Sequence, residues 1–217
     1  MLTYLSENFS TLLVKLWEHT YLFLGSWAVA LLFGVSLAIF STRPGRQRLG
    51  RTLLSITSAA QAVPSIAVIA IVFIFLGIGA APAMVALFLY SLVPITFNAS
   101  SGLLSVSDDM KKAARGMGMT QRQVLWRVEM PVTVPAIAAG ARSAATINIG
   151  TATIAAAIGA GGLGETIFIG LRVTNQSMIL SGALFSAALA VVVDTILGFV
   201  ERGLTSAGIQ ASQESGG

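Results

Sequence analysis

The residue types that carry most enzyme chemistry are almost missing from this sequence. His19 is the single histidine, and there is no cysteine among the 217 residues. A nucleophile with its base, or a metal centre, needs several histidine, cysteine or carboxylate side chains that the fold can bring together. The sequence therefore predicts a protein that is not an enzyme and that binds no metal.

A glycine-rich segment contains the one pattern that is associated with nucleotides. Gly159, Gly161 and Gly164 match G-x-G-x-x-G. In a dinucleotide-binding fold this motif follows a strand, and an acidic residue lies about 20 positions further on, whereas here an apolar run precedes it and Glu165 is adjacent. No phosphate-binding lysine follows either. We therefore predict no cofactor in this chain, and we expect Gly159, Gly161, Gly162 and Gly164 to form a bend or a gate.

The elements that must position these residues are five long apolar runs. Apolar residues make up 55% of the chain and charged residues 10%, and the mean hydropathy is +0.82. A helix needs about 20 apolar residues to cross a bilayer. The runs cover residues 21–40, 53–78, 83–101, 134–158 and 178–200, without the alternation of half-buried strands. The sequence predicts an all-α integral membrane protein with five transmembrane helices.

This pattern divides the chain into three parts. An external segment is expected at residues 1–20, a membrane domain at residues 21–206, and a disordered tail rich in Ser, Gly and Gln at residues 207–217. Four arginines fall in residues 41–52, and five lysines or arginines fall in residues 102–131. Because basic residues favour the cytoplasmic side, the N-terminus is predicted outside and the C-terminus in the cytoplasm. Basic residues confined to short segments between spans do not favour nucleic-acid binding.

Polar residues within the apolar runs are candidates for a translocation path. They are Gln61, Pro64 and Ser65 in the second run, and Asn148, Thr151 and Thr153 in the fourth. Such groups at membrane depth face either other protein segments or a water-filled path. Interhelical hydrogen bonding and a bent, packed helix at Pro64 are therefore the alternatives to a path. Arg142 and Asp194, each within an apolar run, are expected to pair or to reach the lipid headgroups.

The long charged segment at residues 102–131 is predicted to contain a short amphipathic helix. Asp108 favours a helix start, because an acid is stabilised by the positive end of the helix dipole. The apolar positions recur at helical spacing and are Met110, Ala113, Ala114 and Met117. Such a helix either lies on the lipid headgroups or inserts its apolar face into a groove of a soluble partner.

The same segment resembles the EAA loop of ATP-binding-cassette importer permeases. The pattern of that family is Glu-Ala-Ala, then Gly, then Ile-x-Leu-Pro. The corresponding residues here are Lys112, Ala113, Ala114, Gly118, Val128, Met130 and Pro131. Lys112 replaces the usual Glu and reverses its charge, although lysine still favours a helix.

This resemblance implies the type I importer permease fold and a coupling helix that fits a cytoplasmic ATPase. The residues expected at that contact are Lys112, Ala113, Ala114, Met117, Gly118, Met119 and Pro131. The resemblance also implies that the partner ATPase binds the ATP and that an external substrate-binding protein docks on the outer face. A second permease, identical or paralogous, would complete the path across a bacterial inner membrane.

The segments at residues 113–118, 148–158 and 159–165 resemble permeases of the osmoprotectant group, which carry glycine betaine, choline or carnitine. Permeases of methionine-like amino-acid importers share much of this pattern and are an alternative. An ATP-independent carrier or channel, which inverted repeats would favour, is a second class of function, and a membrane scaffold is a third. The predicted spans contain no aromatic cluster of the kind that holds a quaternary ammonium group by cation–π contacts.

Overall fold

Helices account for all the regular structure of residues 2–204, which are the residues that the computed structural model describes. The helices are α1 (Leu2–Thr42), α2 (Gln47–Ala60), α3 (Ser65–Leu76), α4 (Ala80–Ser105), α5 (Asp108–Gly116), α6 (Gln121–Val124), α7 (Met130–Ala155), α8 (Gly162–Arg172) and α9 (Gln176–Leu204). A π-helical turn, Leu125–Glu129, joins α6 to α7, and a 3-10 turn, Ala156–Ile158, follows α7. The all-α prediction is confirmed for these residues. The tail predicted at residues 207–217 lies outside them.

Three single helices and two bent pairs correspond to the five predicted spans. The helices α1, α4 and α9 are each long and apolar enough to cross a membrane, and two consecutive pairs pass the same test together. In the first pair α2 and α3 differ in direction by 100°, and in the second α8 is bent by 55° from Gln121–Ile158. The described chain thus has three candidate spans, or five if each bent pair is counted as one.

The first helix is far longer than the span predicted at residues 21–40. α1 is continuous for 41 residues, which corresponds to about 60 Å at 1.5 Å per residue. The hydrocarbon core of a bilayer is only about 30 Å thick. Residues 2–20 therefore extend the same helix, and the boundary predicted at residue 20 does not coincide with a structural break.

The second predicted span is not a single kinked helix. α2 ends at Ala60 and α3 begins at Ser65, with a 100° change of direction between them. Pro64 has no N–H to donate, and its ring disfavours a helical conformation of the preceding residue. The backbone of Pro64 is extended, with φ −61° and ψ 136°. A kink at Pro64 was the expectation, but the helix stops there and a new helix starts in another direction.

The core of the bundle lies where α1, α4 and α7 meet. Its large buried side chains, at most 1% exposed, include Phe23, Leu87, Ile95 and Ile149. Small residues let helix backbones approach closely in a membrane. Gly140 of α7 illustrates this, because a Cβ there would lie 2.6 Å from the Cβ of Asn98 in α4. The outer helix α9 packs on α7 and α8 and exposes apolar side chains such as Val191 and Phe199.

Candidate functional site

The predicted amphipathic helix exists as α5, and its start is fixed by local hydrogen bonding. Ser107 precedes the helix in an extended conformation, and its hydroxyl oxygen accepts a hydrogen bond from the N–H of Met110 at 3.3 Å. Asp108 and Asp109 occupy the first turn, where a negative charge is stabilised by the helix dipole. The helix therefore begins at Asp108, as the sequence predicts.

Gly118 ends this helix in a Schellman motif. The N–H of Gly118 donates to the carbonyl of Arg115 at 2.9 Å, and the N–H of Met119 donates to the carbonyl of Ala114 at 3.2 Å. The motif needs a left-handed residue, and Gly118 has φ +83°. A Cβ at this position would have no heavy atom within 4 Å. Glycine is therefore required here by the backbone conformation and not by lack of space.

A second capped helix follows at once and leads into the bundle. The N–H of Thr120 donates to the Gln123 side chain at 2.8 Å, and the N–H of Gln123 donates to the Thr120 hydroxyl at 3.4 Å, which forms a capping box. The π-helical turn then connects α6 to α7, and Pro131 lies in the first turn of α7. Residues 107–124, called the coupling segment below, are thus two short helices with fixed ends joined directly to a core helix.

The apolar face predicted for this helix points in two directions. Ala114 is 1% exposed and packs inward, whereas Met110 and Met117 are 45% and 72% exposed. Lys112 lies on the exposed side, and its ammonium group is 3.3 Å from the carboxylate of Asp109 in the same helix. The buried Ala114 therefore belongs to the side of α5 that packs against α6 and the π-helical turn, and Met110 and Met117 lie on the surface.

Asn148 ties together the three helices of the core. Its side-chain amide donates hydrogen bonds to the hydroxyl oxygens of Ser91 at 2.6 Å and Ser26 at 2.9 Å. Asn148 is 1% exposed, and Thr151 in the next turn is 5% exposed. Thr153 is half-buried, and its hydroxyl donates to the carbonyl of Gly150 at 2.6 Å. These positions favour interhelical hydrogen bonding, and the assignment of the three residues to a path remains a prediction.

Replacing Asn148 with alanine distinguishes a role in hydrogen bonding between helices from a role in lining the path. Loss of the amide leaves the Ser91 hydroxyl without its donor in a buried site, which costs about 1–3 kcal/mol. We expect the purified complex to unfold at a lower temperature, while import per folded complex stays unchanged. The matched control is Thr153→Ala, which removes a half-buried hydroxyl bonded only to its own turn and should have little effect. A large loss of import at normal thermal stability would instead place Asn148 in the path.

The break between α2 and α3 is exposed and carries the polar side chain of Gln61. Gln61 and Pro64 are exposed and Ser65 is half-buried. The Tyr90 hydroxyl of α4 donates to the carbonyl of Val63 in the break at 3.3 Å. A shallow open pocket of about 350 Å³ adjoins the break and is lined by Ala60, Gln61, Tyr90, Val93, Pro94 and Ile147. Non-helical backbone at membrane depth is stable only against protein or a water-filled cavity, so this face is the best candidate for the path.

The glycine-rich segment makes the 55° bend between α7 and α8. Gly159, Gly161 and Gly162 have φ of +77°, +80° and +71°, a region that other residues rarely adopt. The carboxylate of Glu18 in α1 accepts a hydrogen bond from the N–H of Gly162 at 2.9 Å. The Lys15 ammonium lies 2.9 Å from the Glu18 carboxylate and also pairs with Glu165. The first turn of α8 is thus held on α1 by two charged side chains.

Lys15 and Glu18 were not among the residues predicted for the site. They lie just before the first predicted span, and nothing local marks them as partners of a segment about 145 residues further along the chain. The one available signal was that a helix extended through residues 2–20 would place Lys15 and Glu18 on neighbouring turns.

Gly164 is required for a different reason from the other glycines of this segment. A Cβ on Gly164 would lie 2.7 Å from Thr153 Cα and closer still to the Thr153 carbonyl oxygen. Backbone atoms cannot move aside as a flexible side chain can, so Gly164→Ala is expected to force α8 away from α7 and to destabilise the fold by about 1–3 kcal/mol. Gly150→Ala is the control, since no atom lies within 4 Å of its Cβ position. Equal yields of folded protein for both variants would contradict this packing.

One charged cluster lies within the apolar part of the bundle. The Arg142 guanidinium of α7 makes two hydrogen bonds of 2.7 Å to the Asp194 carboxylate of α9. Its third contact is with Glu201, further towards the end of α9, at 3.2 Å. The expected pairing of Arg142 with Asp194 is confirmed, and it joins the outer helix α9 to the core helix α7.

The described chain is a bundle of apolar helices with two broken spans and two capped short helices between α4 and α7, an architecture suited to a membrane protein. Residues 30–206 match the family described as binding-protein-dependent transport system inner membrane component, and the chain belongs to this family. It is therefore an inner-membrane transport subunit and not an enzyme, and in such systems ATP is bound by a partner ATPase.

Relatives with established names span nearly the whole chain. The carnitine transport permease protein OpuCB of Listeria monocytogenes is 38% identical over 100% of this chain and 98% of its own length. The choline transport system permease protein OpuBB of Bacillus subtilis is 38% identical over 97% of this chain and 96% of its own length. The predicted membership of the importer permeases is confirmed.

A solved structure shows the same fold. The MetNI methionine ABC transporter, in an inward facing conformation, superimposes with a TM-score of 0.76 over 90% of this chain and 96% of the matched chain. The sequence identity is 23%, so the similarity supports the fold and carries no information on the substrate.

Proposed function

We propose that this chain forms the path by which an ATP-binding-cassette importer brings a small quaternary-amine osmoprotectant, such as glycine betaine, choline or carnitine, into the cell. The observation that carries the proposal is the full-length similarity, at 38% identity, to permeases named for carnitine and for choline. The alternative of a methionine importer has only the fold similarity behind it, at 23% identity.

The proposed orientation places the N-terminus outside and the coupling segment in the cytoplasm. The basic residues support it, because the two most basic segments fall on one predicted side. The ion pair of 2.8 Å between Arg43 and Glu129 also supports it, since it brings those two segments to the same end of the bundle. In this orientation the exposed Met110 and Met117 meet the cytoplasmic ATPase.

The path is proposed to run along the face formed by Gln61, Pro64, Ser65 and Tyr90, against the same face of a second permease. That second subunit covers the exposed backbone between α2 and α3, which is unstable against lipid. A tight quaternary-ammonium site needs several stacked aromatic rings, and the described pocket contains a single ring, that of Tyr90. Selection therefore rests with the external binding protein, and the permease supplies a weakly selective passage that opens alternately to each side.

Reconstitution tests this proposal directly. The chain is purified with its ATPase and second permease, placed in liposomes, and supplied with ATP inside and loaded binding protein outside. We expect uptake of labelled glycine betaine, choline or carnitine that needs both ATP and binding protein. Uptake of methionine alone would support the amino-acid alternative, and uptake without ATPase would support a carrier or channel.

A further inference from the structure

We propose that the ion pair between Arg43 and Glu129 is the strut through which the coupling segment moves helix α1. Both are positioning residues, since neither touches the path. This inference rests on the proposed function, in which the ATPase pushes the coupling segment during each transport cycle.

Glu129 occupies an unusual place for a charged residue. It is the last residue of the π-helical turn that joins α6 to α7, and it is 7% exposed. No other aspartate or glutamate among the described residues is buried to this degree. Its carboxylate lies 2.8 Å from the Arg43 guanidinium. Arg43 is half-buried, and separating it from Glu129 would leave the buried carboxylate uncompensated, so the two residues are expected to move together.

Arg43 is fixed to the backbone of α1 and not only to Glu129. Its Nε donates to the carbonyl of Ile39 at 3.0 Å, and its Nη2 contacts the Thr42 hydroxyl at 3.4 Å. Carbonyls in the last turn of a helix have no partner within the helix, and a basic side chain can satisfy them. A displacement of Glu129 is therefore passed to the last turn of α1 and not absorbed by a flexible side chain.

The coupling segment lies directly against this pair. Arg115 at the end of α5, together with Gln121 and Val124 of α6, lines the same small pocket as Arg43 and Glu129. The π-helical turn that carries Glu129 is a wider and less regular turn than an α-helical one, and such turns are frequent at functional sites. Movement of the coupling segment thus reaches Glu129 before it reaches the rest of α7.

Helix α1 then carries the movement across the bundle. Arg43 at one end is paired with the residue before α7, and Glu18 towards the other end is bonded to Gly162, shortly after α7 ends. The two contact residues are 25 positions apart, Glu18 within α1 and Arg43 directly after its last residue, which is about 38 Å at 1.5 Å per residue. A single rigid rod therefore links the coupling segment to the glycine bend, and the Arg43–Glu129 pair is its attachment at the coupling end.

The test measures coupling and not only activity. Arg43→Gln and Glu129→Gln are compared with the exchanged double variant Arg43→Glu/Glu129→Arg in the reconstituted transporter. Arg48→Gln is the matched control, because Arg48 is exposed, lies in the same basic segment and has no ion pair within the described residues. We expect the ATP hydrolysed per solute imported to rise about tenfold in each single variant, to stay raised in the double variant, because a glutamate at position 43 cannot donate to the Ile39 carbonyl, and to be unchanged in the control.

A merely structural role gives a different result. Import and hydrolysis would then fall together, in proportion to the amount of assembled complex, and the ratio would stay at the wild-type value, which overturns the proposal. If Arg43→Gln does not assemble, Arg43→Lys is measured, since lysine keeps the charge but has a single nitrogen, and so cannot donate to the Ile39 carbonyl through one nitrogen while it contacts Glu129 through another. A wild-type ratio in assembled Arg43→Lys also overturns the strut.

A second measurement is independent of the transported solute. The chain contains no cysteine, so spin labels can be placed at Ser36→Cys on α1 and Thr195→Cys on α9, both exposed positions. The strut predicts that trapping the ATPase with ATP and vanadate changes the distance between these labels in the wild-type background and not with Glu129→Gln. If wild-type liposomes import no osmoprotectant but show this difference, the proposed substrate is wrong and the strut stands. An equal distance change in both backgrounds refutes the strut.

Discussion

A transporter that carries Gly118→Val is expected to import its solute at least about tenfold more slowly while still inserting in the membrane. Gly118 has φ +83° and ends α5 through its own N–H and that of Met119. A left-handed conformation costs an ordinary L-residue about 1–2 kcal/mol, and a β-branched one more, so valine disrupts the Schellman motif. The exposed Met117 then loses its orientation towards the ATPase. Import per inserted complex and recovery of the ATPase with the tagged permease both measure this loss.

A series of substitutions at Gly118 separates the effect of the backbone conformation on import from the effect of side-chain charge. Gly118→Asn should be the mildest change, because asparagine tolerates the left-handed conformation. Gly118→Asp has a similar backbone tolerance but adds a negative charge at the contact, so any extra loss reports on electrostatics. Gly116→Ala is the control, since Gly116 lies in the helix with no atom within 4 Å of its Cβ position. Wild-type import by Gly118→Val, or equal harm from Gly116→Ala, would contradict the role of this turn.

The coupling segment could be predicted from the sequence because its structure is local. An acid at a helix start, alanines in the middle and a glycine after the last turn each act within a few residues of their own position. Asp108 and Gly118 therefore mark the ends of α5 in the sequence almost as they do in the structure. The division of the apolar face was not predictable in this way, since Ala114 packs inward only because α6 and the π-helical turn fold back beside it.

The role of Asn148 could not be predicted because its partners are distant. The residues that accept its hydrogen bonds, Ser26 and Ser91, are separated from it by 122 and 57 positions. A polar side chain in an apolar run must be satisfied, but the sequence does not say whether water or another helix satisfies it. The same limit applies to Arg43 and Glu129, which are ordinary charged residues at the ends of two spans until the fold pairs them.

Hydropathy located the spans but not the helices. Lys15 and Glu18 lower the mean hydropathy and therefore set the predicted start of the first span at residue 21, although the helix continues through them from Leu2. At Pro64 the sequence indicated where the second span changes direction, and the angle of 100° depends on how α3 packs against α4. Charge within an apolar run was more informative, since an arginine there must find an acid, and few are within reach.

Because an arginine within an apolar run must pair with an acid, a substitution at Arg142 is expected to have the second large effect. Arg142→Met is expected to lower the recovery of folded complex several-fold, because it leaves the Asp194 carboxylate within the apolar part of the bundle without its two hydrogen bonds of 2.7 Å. The change also removes the connection between α7 and α9. The monodisperse fraction after detergent extraction, and its unfolding temperature, measure the effect. Arg172→Met, at an exposed position in the last turn of α8, is the control and should be recovered normally.

Two further variants test whether the unpaired charge causes the low recovery expected for Arg142→Met. Asp194→Asn should be milder than Arg142→Met, because Arg142 keeps Glu201 as a partner at 3.2 Å. Adding Asp194→Leu to Arg142→Met removes the unpaired carboxylate from the apolar run, so recovery should increase again. If the double variant is recovered no better than Arg142→Met alone, the loss comes from missing packing at Gly198, which the guanidinium also covers, and not from an isolated charge. Rescue by the double variant would show that the unpaired carboxylate, and not the lost contact between α7 and α9, causes the low recovery of Arg142→Met.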